Sequence, residues 1–278
     1  MKKGILFITL ALAVWACKKS DTTTAPSSQL KNCRIEYLYF RDGITILPFQ
    51  SLIFDPVGAD NQVCSYTYED GMLTRVRGGF VPRPAGTNLS NYIFSSTGYD
   101  SVFSGGDSVT VDLKWRDSQG GVHPGINTRF VYYMNSDHRL VRIGSRGSPP
   151  FHYFDLYYTY SGDSVTETLG TGEIRRKFYF ENDNLVRIVQ DRYQSNGKIF
   201  SRDEILLQGY DNHPNPFRYR YYVKGAFFRA FSANNYSSYT ANYYEILHDS
   251  TLGITGMTHC TFPFTYNEQG WPLFGDYE

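Results

Sequence analysis

Along most of the chain, aromatic residues recur in pairs two positions apart. A short polar run follows each pair, and an apolar residue comes five positions after the second aromatic. Tyr66-x-Tyr68 leads to Leu73 through Glu69-Asp70-Gly71, and Tyr92-x-Phe94 leads to Tyr99 through Ser95 to Gly98. Tyr158-x-Tyr160 leads to Val165, Phe178-x-Phe180 to Leu185, and Phe264-x-Tyr266 to Trp271. A sixth copy, Phe130-x-Tyr132 to Leu140, carries a longer turn. Residues two apart share one face of a strand. The Asp, Asn, Ser and Gly between the runs supply the positive-φ positions of tight turns. Each copy therefore predicts a β-hairpin. The second aromatics, Tyr68, Phe94, Tyr132, Tyr160, Phe180 and Tyr266, are expected to be buried against neighbouring repeats. The return strands read Leu73-x-Arg75, Leu140-x-Arg142 and Leu185-x-Arg187, which places each arginine on the face of its leucine.

The remaining segments extend this pattern. Ile35 to Phe40 and Ile44 to Phe49, split by Arg41-Asp42-Gly43, predict an opening hairpin. Val109 to Trp115 alternates as a strand, and the last strands are expected near Tyr243 to His248 and Thr258 to Tyr266. Phe217 to Phe231 is the one place where a short helix fits. Consecutive hairpins pair most easily with their neighbours. The expected fold class is thus all-β: an antiparallel meander of repeated hairpins, left as an open twisted sheet or partly curled into a barrel or shell.

The N-terminus changes the picture by adding an address. Lys2 and Lys3 precede an apolar run from Gly4 to Ala13, and Val14-Trp15-Ala16-Cys17 stands where a lipobox would. The expectation is a lipoprotein signal over residues 1–16 and lipidation at Cys17. A Ser/Thr/Lys-rich tether follows over 17–30, then a single β-hairpin-repeat domain over 31–278. The apolar run is too short for a transmembrane helix, which needs ~20 residues, so membrane attachment would rest on acyl chains. Lys18, rather than Asp, after the cysteine favours the outer membrane, with the leaflet undetermined.

Charge narrows the partners. The formal net charge is zero, and losing Lys2 and Lys3 with the signal makes it −2. A near-neutral chain is a poor candidate for nucleic acid. Cys33, Cys64 and Cys260 lack any CxxC or histidine partner at zinc-finger spacing, which argues against a metal site; buried thiols or one disulfide both remain open. No cofactor is implied and no catalytic residue is assigned. Gly106-Asp107-Ser108 and Gly162-Asp163-Ser164 resemble a hydrolase nucleophile block, but the second lies inside a hairpin repeat. Asp203-Glu204 and Glu167/Glu173 are the carboxylate pairs that a glycan- or ester-cleaving alternative would use. The favoured expectation is a binding or structural module for glycan or protein. Its candidate contact residues are Trp115, Tyr219, Tyr221, Tyr243 and Trp271, because aromatic rings make good interface anchors. Cross-strand core packing competes for the same tyrosines.

Three features carry a resemblance: Cys17-Lys18-Lys19 after the signal, the block Tyr210-Asp211-Asn212-His213-Pro214-Asn215-Pro216-Phe217, and the terminal run Phe264 to Pro272. From about Ser65 onward the repeats resemble the YD-type (RHS-like) hairpins of bacterial surface and toxin-shell proteins. More closely, the chain resembles a group of uncharacterised outer-membrane lipoproteins built from such hairpins. Its Tyr-Asp pairs are mostly degenerate, which weakens the tie to toxin shells. The resemblance implies a hairpin-repeat fold and an outer-membrane address, and brings no activity with it.

Overall fold

The computed structural model describes residues 30–38, 49–53, 63–82, 92–116, 122–147, 154–247, 251–261, 265–268, 272 and 276–277. The signal, Cys17 and the tether lie outside these residues, as does Trp271. Sixteen strands form one sheet. They are β1 (Leu30–Leu38), β2 (Phe49–Ile53), β3 (Val63–Glu69), β4 (Met72–Pro82), β5 (Tyr92–Gly105), β6 (Ser108–Arg116), β7 (Val122–Met134) and β8 (Leu140–Gly147). The second half comprises β9 (Phe154–Ser161), β10 (Ser164–Leu169), β11 (Ile174–Glu181), β12 (Asn184–Tyr193), β13 (Ile199–Tyr210), β14 (Tyr236–Ile246), β15 (Leu252–Thr261) and β16 (Asp276–Tyr277). From β3 to β15 each strand pairs antiparallel with the next. β1 pairs β3 along one edge and both β2 and β16 along the other. β1 pairs antiparallel with Phe49–Ile53; the expected turn Arg41-Asp42-Gly43 and Ile44 to Pro48 lie outside the described residues.

The turns obey the expected chemistry. Asp70 (φ 49°) with Gly71 (φ 76°), and Asn182 (φ 48°) with Asp183 (φ 61°), make two-residue loops with both central residues left-handed, the hairpin turn that matches strand twist. The two Gly-Asp-Ser blocks are turns as well. Gly106 and Gly162 both sit at φ 53°, and the Ser108 and Ser164 hydroxyls donate to the carbonyls of Gly105 and Ser161.

Three expectations are corrected. First, Tyr92 to Tyr99 is no hairpin: β5 runs straight through it. Ser95 to Gly98 forms a bulge opposite Gly78, with the Gly98 amide donating to the Ser95 hydroxyl. Second, the Leu-x-Arg residues lie on opposite faces. Thr67 pairs Arg75 but Tyr68 pairs Leu73, so Thr74 is an extra residue. Val141 and Val186 are extra in the same way. A bulge shifts the pleat by one residue, so Leu73, Leu140 and Leu185 turn inward and their arginines outward. Third, the deeper aromatic is usually the first of the pair. Tyr66, Tyr158 and Phe178 are buried, while Tyr68, Tyr160 and Phe180 pack at the rim. In the sixth copy the bulge aligns Tyr132, not Phe130, with Tyr66 and Phe178; accordingly Tyr132 is the buried one.

The inward face meets a covering segment that the periodicity does not reveal. Asp211 to Asn235, between β13 and β14, folds over it as a plug of successive turns ending in a 3-10 turn, Arg229–Phe231. Phe217, Tyr221, Val223, Phe227, Phe228 and Phe231 join the core. The Phe231 ring stacks on Phe178 at 5.2 Å and meets Tyr221 edge-on at 4.8 Å, contacts worth ~0.5–1.5 kcal/mol each beyond area burial. The Tyr210-to-Phe217 block fastens the plug. The Asn215 side-chain amide donates to the carbonyls of Arg229 and Ser232, and Asp211 accepts from the Asn235 backbone and the Tyr266 hydroxyl. His213 stacks on Tyr266 at 4.2 Å, so the two C-terminal motifs that carry the resemblance are in contact.

At the far end of the plug, the Lys224 ammonium pairs with Asp100 at 2.7 Å and donates to the Gly78 carbonyl. It fills the space left by Gly79, where a β-carbon would stand 2.6 Å from the lysine nitrogen. Burial raises the Asp100 carboxyl and Lys224 partly opposes it. Burial pushes the neighbouring Cys64 thiol up to about 12. A second buried pair lies within the sheet: Glu167 and Arg176, both side chains fully buried, with the Tyr158 hydroxyl donating to Glu167.

The sheet is open and curled. Among the described residues no ladder joins β15 to the β1 end. Yet only fifteen Cα-to-Cα steps separate Thr261 at the end of β15 from Asp276 at the start of β16, a reach of at most ~54 Å. Laid flat, the fourteen strand spacings from β15 to β16 would span ~67 Å. The sheet must bend to bring its ends within reach, and it bends around the plug.

Candidate functional site

The outward face is polar, and its best-developed cluster lies on β4 to β9. The bulges of the β3–β4 and β7–β8 hairpins deliver Arg75 and Arg142 to this face. The ladder then sets rows of neighbours across it. One row reads Arg75, Ser101, Asp112, Arg129, Arg146. A parallel row reads Ser108, Tyr133, Arg142, Tyr157.

Within these rows the contacts are specific. Arg129 grips Asp112 through two hydrogen bonds of 2.6 and 2.8 Å, which hold the Asp112 carboxyl below its ordinary value. Arg142 donates to Asp155 at 3.0 Å, and Arg146 reaches the same oxygen at 3.4 Å. The Arg142 guanidinium lies over Tyr133 at 5.0 Å and Tyr157 at 5.8 Å, and Arg75 lies over Tyr99 at 5.2 Å. Gly144 lies beneath the Asp155 carboxylate, 3.1 Å from where its β-carbon would be. Tyr157 is 41% exposed although aromatic. Rings, guanidinium planes and carboxylates thus alternate on an open, shallow surface.

A second arginine cluster occupies β11 to β14. Arg187 donates to Glu204 at 2.6 Å and lies over Tyr179. The Tyr244 hydroxyl also donates to Glu204. Arg202 forms two hydrogen bonds with Asp191. Burial alone would raise the Glu204 carboxyl, but the hydrogen bonds of Arg187, Tyr244 and Asn242 and the Arg187 charge bring it below its ordinary value.

The sequence-derived contact residues are not brought together. Tyr221 is 2% exposed, inside the core. Tyr219 is half-buried in the plug at φ 66°, and Tyr243 packs against the core from β14. Trp115 lies in β6, with its side chain outside the described residues, as is all of Trp271. The hydrolase carboxylates are also split. Asp203 faces inward to Arg192 and Glu204 outward to Arg187, while Glu167 is buried and Glu173 exposed. The residues that sequence reasoning passed over are Tyr133, Tyr157, Arg129, Arg146 and Asp155. The available signal was parity within the strands, once the bulges are counted.

No protein-family model matches the chain, and no match is found among curated proteins. Among solved structures the chain is similar to a porin-like protein from Bacteroides uniformis ATCC 8492, with 13% identity, a TM-score of 0.42, and 87% of each chain covered. It is also similar to a porin-like protein from Bacteroides vulgatus ATCC 8482, with 11% identity, a TM-score of 0.40, and 77% of this chain and 86% of that chain covered. Neither likeness is close enough to define a shared fold.

Proposed function

We propose that the protein is a lipid-anchored envelope protein that holds a partner on its outward sheet face. The anchor reading rests on the signal features and Cys17. It is supported by the polarity of the strands. A barrel that crosses a membrane turns apolar residues outward. Here the clustered apolar residues are inward, while Phe103, Ile254 and Met257 are scattered exposures, and Arg75, Arg129, Arg142, Arg146 and Arg187 are outward. Strands of this polarity do not suit lipid, so attachment falls to the acyl chains.

The binding reading is carried by one observation: the outward Tyr133–Arg142–Tyr157 row, with Tyr157 exposed and Asp155 beside it. Aromatic rings beside charged hydrogen-bonding groups suit recognition of a polyhydroxylated or peptide surface. Two experiments test the proposal. Mass spectrometry of the membrane-extracted protein should show an acylated N-terminal Cys17; a chain that begins elsewhere removes the anchor. Immobilised glycans should retain the protein in a way that Tyr157→Ala abolishes. Retention that is absent, or indifferent to that change, removes this face as the site.

A further inference from the structure

The outward face of β4 to β9 holds more positive charge than its own carboxylates neutralise. Arg75, Arg77, Lys114, Arg129, Arg142 and Arg146 stand against Asp112 and Asp155. The chain as a whole has a formal charge of zero, so the surplus is local. Arg129 lies directly opposite Arg146 in the β7–β8 ladder, and their side chains are 57% and 46% exposed. Like charges directly opposed on neighbouring strands destabilise a sheet. Asp112 and Asp155 offset this within the fold, and an anion placed between the two guanidinium groups adds a charge-assisted contact to both.

Resting on the binding reading above, we infer that this band takes an acidic polysaccharide. Its carboxylate or sulfate groups pair with Arg129, Arg142 and Arg146. The apolar faces of its rings lie on Tyr133 and Tyr157. Three features select this ligand class. The cations run across five strands, ~19 Å of sheet, with no cradle around any one of them; that suits a chain of repeated charges better than a single small anion. The exposed Tyr157 ring, with the half-buried Tyr133 in the same row, calls for an apolar face beside the charge. Asp112 and Asp155 sit among the cations and would repel a uniformly anionic lipid surface, but they accept hydrogen bonds from sugar hydroxyls.

Calorimetric titration of the acylated chain in phosphatidylcholine vesicles tests this, with polygalacturonate, dextran sulfate and neutral dextran as probes. Both acidic polymers should bind, and their affinity should fall as salt rises. Arg129→Glu with Arg146→Glu should weaken both by about tenfold or more, while Arg129→Gln with Arg146→Gln, which keeps the unfolding midpoint, should weaken them less. Neutral dextran should bind far more weakly. If neutral dextran binds as well as dextran sulfate, and Tyr157→Ala but not charge reversal weakens it, the surface-binding reading stands and the acidic-ligand inference is overturned. If no polysaccharide binds and the glycan retention above also fails, both are overturned. If the acidic polymers fail while added phosphatidylglycerol alone shields Arg146 from chemical modification, the ligand is a lipid surface and the inference is likewise overturned.

Discussion

The two halves of the outward face use the same repeat to different ends. In β11 to β14, Arg187 has Glu204, and Arg202 has Asp191. In β4 to β8, Arg129 has Asp112, but Arg142 and Arg146 share Asp155, and Arg146 faces Arg129 across the ladder. The Leu-x-Arg return strand is common to both halves, and in both the next strand places a carboxylate on the same diagonal: Leu206 lies across from Arg187 with Glu204 beside it, and Tyr157 lies across from Arg142 with Asp155 beside it. The difference is that Arg146 also reaches Asp155, so one carboxylate serves two arginines. A carboxylate that serves one arginine balances its charge. One shared by two arginines leaves a net positive charge on the face. One acid per arginine in β11 to β14 thus stands against one acid for two arginines in β7 to β9.

That comparison presumes that both halves rest on one core, and the largest expected effect tests this. Phe178→Ala should cost ~3–5 kcal/mol in denaturant unfolding, because the ring is fully buried between Phe228 and Phe231. A single transition shifted as a whole is expected; two transitions would split the halves into separate units. Phe180→Ala should cost less, since Phe180 packs at the rim.

Lys224→Ala should cost ~3 kcal/mol by leaving Asp100 buried without its cation. It also tests whether the plug fastens the β4–β5 end. The pH dependence has a definite sign. Asp100 has a raised folded pKa, so the folded state keeps a proton that the unfolded state has lost, and stability falls as pH rises between the two values. Loss of Lys224 raises that folded value further. The deficit of Lys224→Ala relative to Lys224→Ala/Asp100→Asn should therefore shrink in acid. A deficit that grows in acid would refute the assignment.

On the matched half, Glu204→Gln should cost about 1 kcal/mol. Here the folded pKa is lowered, so the stabilisation is present above the ordinary glutamate value and is lost as pH falls through the folded one. The difference between wild type and variant should vanish at low pH. On the unmatched half, Arg146→Gln should change stability by less than ~0.5 kcal/mol, and added salt should narrow even that difference. A loss comparable to Glu204→Gln would erase the contrast between the halves.

Much of this was legible in the chain. The aromatic-x-aromatic period and the Asp-Gly, Asn-Asp and Gly-Asp turns determined an antiparallel meander and most of its hairpins, because strand parity and left-handed turn residues are local properties. The turn reading of Gly162-Asp163-Ser164 was local for the same reason. Which face each arginine takes was not legible. Thr74, Val141 and Val186 look like ordinary strand residues, and they become bulges only through the register of the partner strand. Ser95 to Gly98 carries turn residues, yet it runs on inside β5 because the Gly78-Gly79 backbone opposite accommodates a bulge. The plug was the least visible element. Phe217 to Phe231 admits a short helix by sequence, and its apolar residues make sense only against a sheet face assembled from strands as far as 158 residues away. Sequence alone therefore determined what repeats. The tertiary structure decided what faces inward, what covers it, and which arginines share a carboxylate, because each of these is set by a residue on a different strand.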